Sequence, residues 1–339
     1  MQTTVYSTNK HSDTTIYLDT GYELYKELTA NRRFALISCK NIVEAFPEIK
    51  ETENLIIIDD KESRKNLATI EEIVSQLLQF GIDRHSYIIG IGGGIVCDIT
   101  GFVSHIFMRG VRFGLVPTTL LAMTDAAIGG KNGVNFNENK NMIGSFDNPD
   151  FIIADSNFVQ TLPENQYLSG LGEIIKYALI GNSQILNLLQ NDTNKVLKRD
   201  MQTVNSLVEE SILTKTRIVE NDPLDTSIRH ILNFGHTIGH SIEIQEKIPH
   251  GIAVVKGMNA AVDISQKLGL LNSDAASKIK NMLTGFGYDI TYNLSEKHIE
   301  ILCHDKKKDK SNIKFVLLEG IGKPVVKEMP IKQIVDLVG

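Results

Sequence analysis

The sequence predicts an α/β fold in which an N-terminal Rossmann-like domain with a parallel sheet is followed by a mostly α-helical domain. Short apolar runs alternate with a helical pattern in the first half, which is typical of a parallel sheet covered by helices on both faces. The second half changes to long helical patterns. The chain has 339 residues, more than the roughly 250–300 at which a single core stops growing, so two domains are expected.

The apolar runs and the helical periodicity place the main elements. The predicted buried strands are 34–39, 54–59, 86–92, 112–119 and 151–156. A helical pattern covers 66–81 and ends at Gly81, a residue typical of a helix C-cap. Long helices are predicted at 166–181, 206–222 and 251–269, and a hairpin at 313–329 that turns at 320–323. We place the domains at 1–160 and 161–339, because Pro163 is typical of a first helical turn.

Composition and charge exclude several classes of protein. Hydrophobic residues at 42% and charged residues at 22% are ordinary globular usage. The net charge of −6 offers no field for nucleic acid or an anionic membrane, so neither partner is expected and an anionic ligand needs a local cluster of cations. Cys39, Cys97 and Cys303 lie far apart and form no CxxC pair, which favours a reducing cytoplasm over a disulfide framework. No run approaches the ~20 apolar residues of a membrane span.

A glycine-rich turn, IIGIGGGIVCD at 88–98, joins a strand to a helical pattern. Glycines there let backbone N–H groups approach a pyrophosphate, and the following helix N-terminus favours negative charge. Ile95 stands where the third glycine of the dinucleotide motif would be, so a simple tight turn is the structural alternative. Thr118 and Thr119 end another strand, at the edge where doubly wound sheets bind ligands.

The segment 124–144 is unusually polar and rich in glycine and asparagine. We predict a long functional loop there. It carries Asp125, Lys131, Lys140 and Asn141, and its lysines would suit a phosphate or a carboxylate. Solvated surface lysines are the alternative.

Histidines and a carboxylate suggest a metal site. His236 and His240 are four residues apart and would share one helix face. Glu173 and Lys176 are three apart in an apolar helix, where the alternatives are a salt bridge and a carboxylate ligand beside a cation. Glu173, His236 and either His240 or His250 would make a zinc site with an open fourth position. Spacing does not choose between the last two histidines, and a structural histidine pair is the simpler explanation.

Two further cationic features accompany this site. Arg229 and Asn233 precede His236 by two turns and one turn on a similar face, and add a cation and an amide. The basic run at 303–311 is either a solvated loop or an arm that closes over an anion. The residues alone therefore predict an α/β enzyme that uses NAD and a metal and acts on an anionic small molecule.

Taken together, these segments resemble the 3-dehydroquinate synthase family of sugar-phosphate cyclases. The resemblance extends in order along nearly the whole chain. Its motifs are GGGIVCDITGF at 92–102, MRGVRF at 108–113, PTTLLAMTDAAIGGKNGVN at 117–135, NKNMIGSF at 139–146, TLP at 161–163, GLGEIIKY at 170–177, LNFGHTIGHSIE at 232–243, HG at 250–251 and DKK at 305–307.

The resemblance implies zinc or cobalt on Glu173, His236 and His250, with His240 facing the substrate instead. It implies NAD+ contacts from Glu62, Lys65, Gly93, Gly94, Asp98, Thr118, Thr119, Lys131, Lys140, Phe158, Thr161 and Leu162. It implies substrate contacts from Arg109, Asp125, Lys131, Asn141, Lys176, Lys215, Arg229, Asn233, His240 and Lys306.

The implied activity is that of a lyase in the shikimate pathway, which turns 3-deoxy-D-arabino-heptulosonate 7-phosphate into 3-dehydroquinate and phosphate. The family also implies a homodimer. Another sugar-phosphate cyclase is one alternative. A metal-dependent NAD dehydrogenase of the glycerol dehydrogenase type is the other, and such an enzyme would release NADH.

Overall fold

A computed structural model describes residues 2–7, 13–137, 139–304 and 312–338 of the chain. The chain divides into two units. The first consists of Met1–Leu162 together with Lys215–Leu224, and the second of Pro163–Thr214 and Asp225–Gly339. The predicted class, a parallel-sheet α/β domain followed by a helical domain, is confirmed.

The first unit is built on a seven-stranded sheet in the order β1-β2-β9-β6-β5-β3-β4. Neighbouring strands are parallel except for the pair β1 and β2. The strands are β1 (Gln2–Tyr6), β2 (Thr14–Leu18), β3 (Phe34–Cys39), β4 (Leu55–Ile58), β5 (Tyr87–Gly92), β6 (Arg112–Pro117) and β9 (Phe151–Ala154).

The burial of these strands explains which of them the sequence reveals. Every residue of β5 and β9 is buried, as expected for a parallel sheet covered on both faces, and the five apolar runs all form strands. Strands β1 and β2 were not predicted. Buried and half-buried residues alternate along β2. Both β1 and β2 contain two threonines, so neither forms the continuous apolar run that marks a buried strand.

In the described part of residues 1–162, the α-helices that accompany the sheet are α1 (Leu24–Leu28), α2 (Lys40–Ala45), α3 (Leu67–Gln79) and α4 (Gly94–Ile106). Helix α3 forms where periodicity predicts it. The Asn66 side chain accepts a hydrogen bond from the Thr69 backbone N–H over 3.1 Å and so caps its first turn. Ile70, Ile73 and Leu77 bury its apolar face, and Gly81 follows its end with φ 65°.

The polar segment 124–144 is largely a β-hairpin, so the predicted long loop was wrong. A π-helical turn at Ala122–Ala126 leads into the antiparallel strands β7 (Lys131–Phe136) and β8 (Asn139–Phe146). Gly133 and Gly144 face each other in this pair. A Cβ added at Gly144 would lie 2.4 Å from the Asn132 carbonyl oxygen. Gly133 and Gly144 therefore do not mark a loop. They are needed because the two strands approach each other too closely for a side chain.

The described residues of the second unit are mostly helical and include a β-hairpin. Its helices are α5 (Glu164–Ile180), α6 (Ser183–Asn191), α7 (Thr193–Leu197), α8 (Met201–Asn221), α9 (His236–Glu246), α10 (His250–Lys267), α11 (Ser273–Gly285), α12 (Glu296–His304) and α13 (Ile331–Val338). The last seven residues of α8 belong to the first unit. Strands β10 (Asn312–Gly320) and β11 (Lys323–Pro330) form the predicted hairpin.

Glycines let three helices of the second unit approach each other closely. A Cβ added at Gly257 of α10 would lie 1.9 Å from the Gly235 carbonyl oxygen, directly before α9. One added at Gly251 would lie 1.8 Å from the Ser169 carbonyl oxygen of α5. Gly235 itself has φ 81°, which a residue with a side chain rarely adopts. The first residues of α9 and α10 are therefore held beside the middle of α5.

Among the described residues, no helix is both long enough and apolar enough to cross a membrane.

Candidate active site

The predicted carboxylate and histidines meet in the second unit. Glu173 lies in the middle of α5 and its side chain is fully buried. Its Oε1 atom is 3.5 Å from the Nε2 atoms of both His236 and His250. Its Oε2 atom pairs with the buried ammonium of Lys176, one turn along the helix. A salt bridge and a metal-ligand role are thus compatible for Glu173, because each oxygen faces a different partner.

Hydrogen bonds on the far side of each ring direct the two Nε2 atoms toward Glu173. His236 donates from Nδ1 to the Phe234 carbonyl oxygen over 3.2 Å. His250 donates from Nδ1 to Glu243 Oε2 over 2.9 Å. Burial lowers the pKa of His236 to about 3. Burial also lowers the pKa of His250, but the neighbouring Glu173 and Glu243 carboxylates outweigh this and raise the pKa to about 10.

His240 lies next to His236 and His250. Its ring centroid is 5.4 Å from that of His236 and 5.6 Å from that of His250. One ligand nitrogen from each of these three histidines lies within 4.8 Å of the others. Imidazole nitrogens and a carboxylate are the donors that zinc and cobalt accept. The cluster therefore suits a divalent transition metal, and the geometry alone offers both His240 and His250.

In the first unit, three of the predicted nucleotide and substrate residues converge. The buried Lys65 forms an ion pair with Asp98 of α4, and its Nζ also donates to Asn141 Oδ1 over 2.5 Å. Burial raises the pKa of Asp98, and the Lys65 ammonium opposes that shift. Asp98 lies one turn into the helix whose first residue is Gly94, so this charged pair stands near a helix N-terminus.

Asn135 of β7 extends this group. Its amide nitrogen donates to Glu62 Oε1 over 2.7 Å, and its Oδ1 accepts from the Asn141 backbone N–H over 2.8 Å. At the same helix N-terminus, a Cβ added at Gly93 would lie 3.2 Å from Thr119 Cγ2. The glycine turn, Thr119 just after β6 and the hairpin thus form one polar region.

Asp125 and Lys215 form a second polar pair in the first unit. Lys215 Nζ donates to Asp125 Oδ1 over 2.6 Å and to the Asp125 carbonyl oxygen over 2.7 Å. Lys215 is buried although its charged group ends a long side chain. Two residues predicted to contact the substrate, 90 positions apart, are therefore in direct contact.

The remaining predicted residues differ in exposure. Thr118, Phe158 and Arg229 are buried, Leu162 is half-buried, and Arg109, Lys131, Lys140, Thr161, Asn233 and His240 are exposed. The Phe158 ring packs 4.6 Å from the Phe46 ring, between centroids, so its side chain belongs to an aromatic cluster. Lys306 lies outside the described residues.

Sequence reasoning missed Glu243 and Asn135. Glu243 is seven residues after His236 and three after His240, so helical spacing places it on the same face as both. That spacing was an available signal for Glu243. Asn135 lies in the segment for which the sequence predicts a loop, and a loop prediction gives no strand register from which its partners would follow.

The fold is shared with enzymes of known structure. A 2-deoxy-scyllo-inosose synthase, solved with carbaglucose-6-phosphate, NAD+ and Co2+, superposes with a TM-score of 0.85 at 23% identity, over 99% of both chains. A 2-epi-5-epi-valiolone synthase from Streptomyces hygroscopicus, solved with NAD+ and Zn2+, gives 0.87 at 22% identity, over 97% of this chain and 96% of the other. A probable glycerol dehydrogenase from Sinorhizobium meliloti gives 0.67 at 14% identity, over 95% of both. The fold is thus one that sugar-phosphate cyclases and dehydrogenases share.

Sequence matches are more specific. Residues 55–169 match the family described as 3-dehydroquinate synthase N-terminal, and residues 170–308 match 3-dehydroquinate synthase C-terminal. The 3-dehydroquinate synthase of Dictyoglomus thermophilum is 37% identical over 320 residues, which is 91% of this chain and 90% of that protein. The Campylobacter curvus enzyme is 41% identical over 278 residues, 80% of this chain and 79% of the other. The chain belongs to the 3-dehydroquinate synthase family, whose members are carbon–oxygen lyases.

Proposed function

We propose that this enzyme converts 3-deoxy-D-arabino-heptulosonate 7-phosphate into 3-dehydroquinate and inorganic phosphate, as a step of the shikimate pathway. The observation that carries the proposal is the meeting of Glu173 Oε1 with the Nε2 atoms of His236 and His250, in a chain that belongs to this family. A protein that only stored metal would not need the set of lysines and arginines that would hold an anionic substrate.

We assign the metal to Glu173, His236 and His250, and we propose zinc or cobalt as the ion. Two imidazoles and one carboxylate are the donor set of a catalytic zinc site, which keeps a fourth position for a substrate oxygen. Of the three histidines, His236 and His250 face Glu173 Oε1, whereas His240 is exposed. We therefore assign His240 to the substrate.

We assign NAD+ to the first unit. Its proposed contacts are Glu62, Lys65, Gly93, Gly94, Asp98, Thr118, Thr119, Lys131, Lys140, Phe158, Thr161 and Leu162. The contacts of Lys65 with Asp98 and Asn141 and the two glycines at the start of α4 support this assignment. A helix N-terminus stabilises the negative charge of a pyrophosphate.

The substrate carries a carboxylate and a phosphate, and the net charge of −6 supplies no general attraction for it. Local cations must therefore hold both groups. The residues that we assign to the substrate are Arg109, Asp125, Lys131, Asn141, Lys176, Lys215, Arg229, Asn233, His240 and Lys306.

Bound in the first unit, NAD+ would supply a reversible hydride acceptor for C5, and a divalent ion held by Glu173, His236 and His250 would supply a Lewis acid for the C5 oxygen. Oxidation at C5 acidifies the C6 proton, so phosphate can leave from C7 by elimination. We assign to Lys131, Lys176 and His240 the stabilisation of the departing phosphate, because two ammonium groups and an imidazole can donate hydrogen bonds to its growing charge. The phosphate itself is our candidate for the base that removes the C6 proton.

The direct test incubates purified protein with the heptulosonate phosphate, NAD+ and zinc, and measures inorganic phosphate and NADH together. We expect one phosphate released for each substrate consumed, with no net accumulation of NADH. Stoichiometric NADH without phosphate would instead identify a dehydrogenase of the glycerol dehydrogenase type. Phosphate release only from a different sugar phosphate would identify another cyclase.

Lys131→Ala should lower kcat about 100-fold, the order of effect expected when one group that stabilises developing negative charge is removed. Lys131 lies outside the metal cluster at the start of β7, so the zinc content should remain that of the unsubstituted protein. Lys195→Ala, which removes an exposed lysine of α7, is the control and should keep full activity. Full activity of Lys131→Ala would refute the assigned role.

We also propose a homodimer in the cytoplasm. The support is the family resemblance and the burial of Cys39 and Cys97 as free thiols, which suits a reducing compartment. Light scattering of the purified protein tests the dimer.

A further inference from the structure

The Glu243 carboxylate lies behind the His250 ring, on the side away from Glu173. Its Oε2 atom is 2.9 Å from His250 Nδ1, whereas His250 Nε2 faces Glu173 Oε1 at 3.5 Å. An ionised carboxylate only accepts hydrogen bonds, so the ring donates from Nδ1. The Glu243 side chain is only 12% exposed, so little water competes for this contact.

Two helices supply the partners of this hydrogen bond. Glu243 lies in the last turn of α9, and His250 is the first residue of α10. Residues 247–249 join the helices, and Lys247 ends α9 in the left-handed region with φ 53°. The turn thus returns the chain so that the first side chain of α10 meets the last turn of α9.

The two histidines of the site are oriented by different means. His236 donates to the Phe234 carbonyl oxygen, a backbone group that no substitution removes. His250 donates to a side chain. The orientation of the His250 ring is therefore the one that depends on a replaceable residue.

We propose that Glu243 is a positioning residue for the metal centre: its hydrogen bond fixes the His250 ring so that Nε2 is presented to the ion beside Glu173. The proposal rests on the function proposed above, in which Glu173, His236 and His250 bind zinc. A carboxylate behind a ligating imidazole fixes its tautomer and its orientation and raises its basicity as a ligand, and loss of such a partner typically weakens metal affinity about 10–100-fold.

The test measures zinc affinity by competition with a chromogenic chelator. Glu243→Ala should bind zinc about 10–100-fold more weakly than the unsubstituted protein. Glu243→Gln keeps an acceptor oxygen without the charge and should fall between the two. The visible spectrum of the Co2+-loaded protein provides a second measurement, because a less fixed His250 should alter the d–d bands.

Glu246→Gln is the matched control. Glu246 lies one turn further along α9, with Lys256 Nζ at 3.4 Å and His298 Nε2 at 4.0 Å. The substitution removes the same charge from the same helix, but at a residue whose ionic contacts are with Lys256 and His298. Zinc affinity and the Co2+ spectrum should both be unchanged.

A double-variant cycle shows whether Glu243 acts through the imidazole. In a His250→Ala background, Glu243→Ala should cause no further loss of zinc affinity. An equal loss in both backgrounds would overturn the proposal, because Glu243 would then act through its charge alone. Zinc affinity of folded Glu243→Ala within twofold of the unsubstituted protein would also overturn it. If Glu243→Ala does not fold, Glu243→Gln decides the same question.

The proposed function has a separate outcome. If the unsubstituted protein fails to bind one zinc per chain, the assigned metal site fails, and the positioning role fails with it. If it binds zinc normally and the Glu243 variants bind equally well, only the positioning role fails.

Discussion

The two oxygens of the Glu173 carboxylate face different partners. Oε1 faces the imidazoles of His236 and His250, and Oε2 pairs with Lys176. Both Glu173 and Lys176 are fully buried, and a buried charge is tolerated only when it is compensated. Lys176 therefore balances Glu173 in the absence of metal, and it leaves one oxygen directed at the histidines.

Lys176→Met should destabilise the metal-free protein by about 3–5 kcal/mol, because it leaves a buried carboxylate without its cation. Zinc supplies positive charge at the other oxygen, so it should raise Tm more in the variant than in the unsubstituted protein. Thermal unfolding with excess zinc and with a chelator measures both effects.

Lys195→Met is the matched control for that experiment. Lys195 also forms an i,i+3 pair, with Asp192 at 2.8 Å, but on the surface. Exposed pairs contribute little to stability, so its Tm should not change measurably under either condition. An unchanged Tm for chelator-treated Lys176→Met would contradict the role given to Lys176.

At this scale the sequence predicted the residue types of the site better than their geometry. Glu173, Lys176 and the histidines stood out because charges and imidazoles within apolar helical patterns need an explanation. Spacing could not choose between His240 and His250, since the first shares a helix with His236 and the second begins another. Only packing of α9 against α10 brings His250 to the same carboxylate.

The arrangement of helices around the histidines depends on glycine. Gly235 and Gly239 lie on either side of His236 in the sequence. A Cβ added at either glycine would clash with atoms of α10. This accounts for the glycines within the histidine segment. They serve the packing of two helices, and through it the distance between two imidazoles.

Gly257→Ala should lower stability by about 1–3 kcal/mol, the usual cost of overpacking, because its Cβ would meet the Gly235 carbonyl oxygen at 1.9 Å. Relief of that clash must move α10 away from α9. Zinc affinity should therefore fall as well. Denaturant unfolding and zinc competition measure the two effects.

Gly285→Ala provides the comparison. Gly285 is the last residue of α11, and no atom outside its neighbours lies within 4 Å of a Cβ placed there. Alanine should be neutral or stabilise the protein by about 0.4–1 kcal/mol. If Gly257→Ala behaved like Gly285→Ala, the close helix approach would not determine the metal site.

Elements with a strong apolar period were predictable, and the β7–β8 hairpin was not. Its strand β8 is exposed along most of its length, so it lacks the alternation of buried and exposed residues that marks a strand. Glycine and asparagine usually indicate turns. In this hairpin the glycines allow two backbones to lie close, and Asn135 donates hydrogen bonds to Glu62 Oε1 and to the Lys65 carbonyl oxygen.

On the scale of the whole chain, the two sets of proposed cofactor contacts fall in different units. Every residue assigned to NAD+ belongs to the first unit, and Glu173, His236 and His250 belong to the second. The segment Lys215–Leu224 belongs with the first unit, although helix α8 continues without a break from Met201 in the second unit to Asn221 within this segment. An unbroken helical periodicity does not show where along the helix the residues begin to pack with a different unit. The sequence therefore could not place Lys215 beside Asp125.

This separation predicts that the two cofactors stabilise the protein through different residues. A ligand that binds only the folded state stabilises it by about 2.7 kcal/mol at 100 times its Kd. NAD+ and zinc should therefore each raise Tm in the unsubstituted protein. Asp98→Asn should lose most of the shift produced by NAD+ and keep the shift produced by zinc, because Asp98 pairs with Lys65 in the first unit. His250→Ala should lose the zinc shift and keep the NAD+ shift, because its imidazole faces Glu173 in the second unit.

Thermal unfolding of the unsubstituted protein and the two variants, with each cofactor alone, gives the comparison. Loss of the NAD+ shift in His250→Ala with retention of the zinc shift would reverse the assignment of cofactors to units, and equal loss of both shifts in both variants would mean that neither unit binds its cofactor independently.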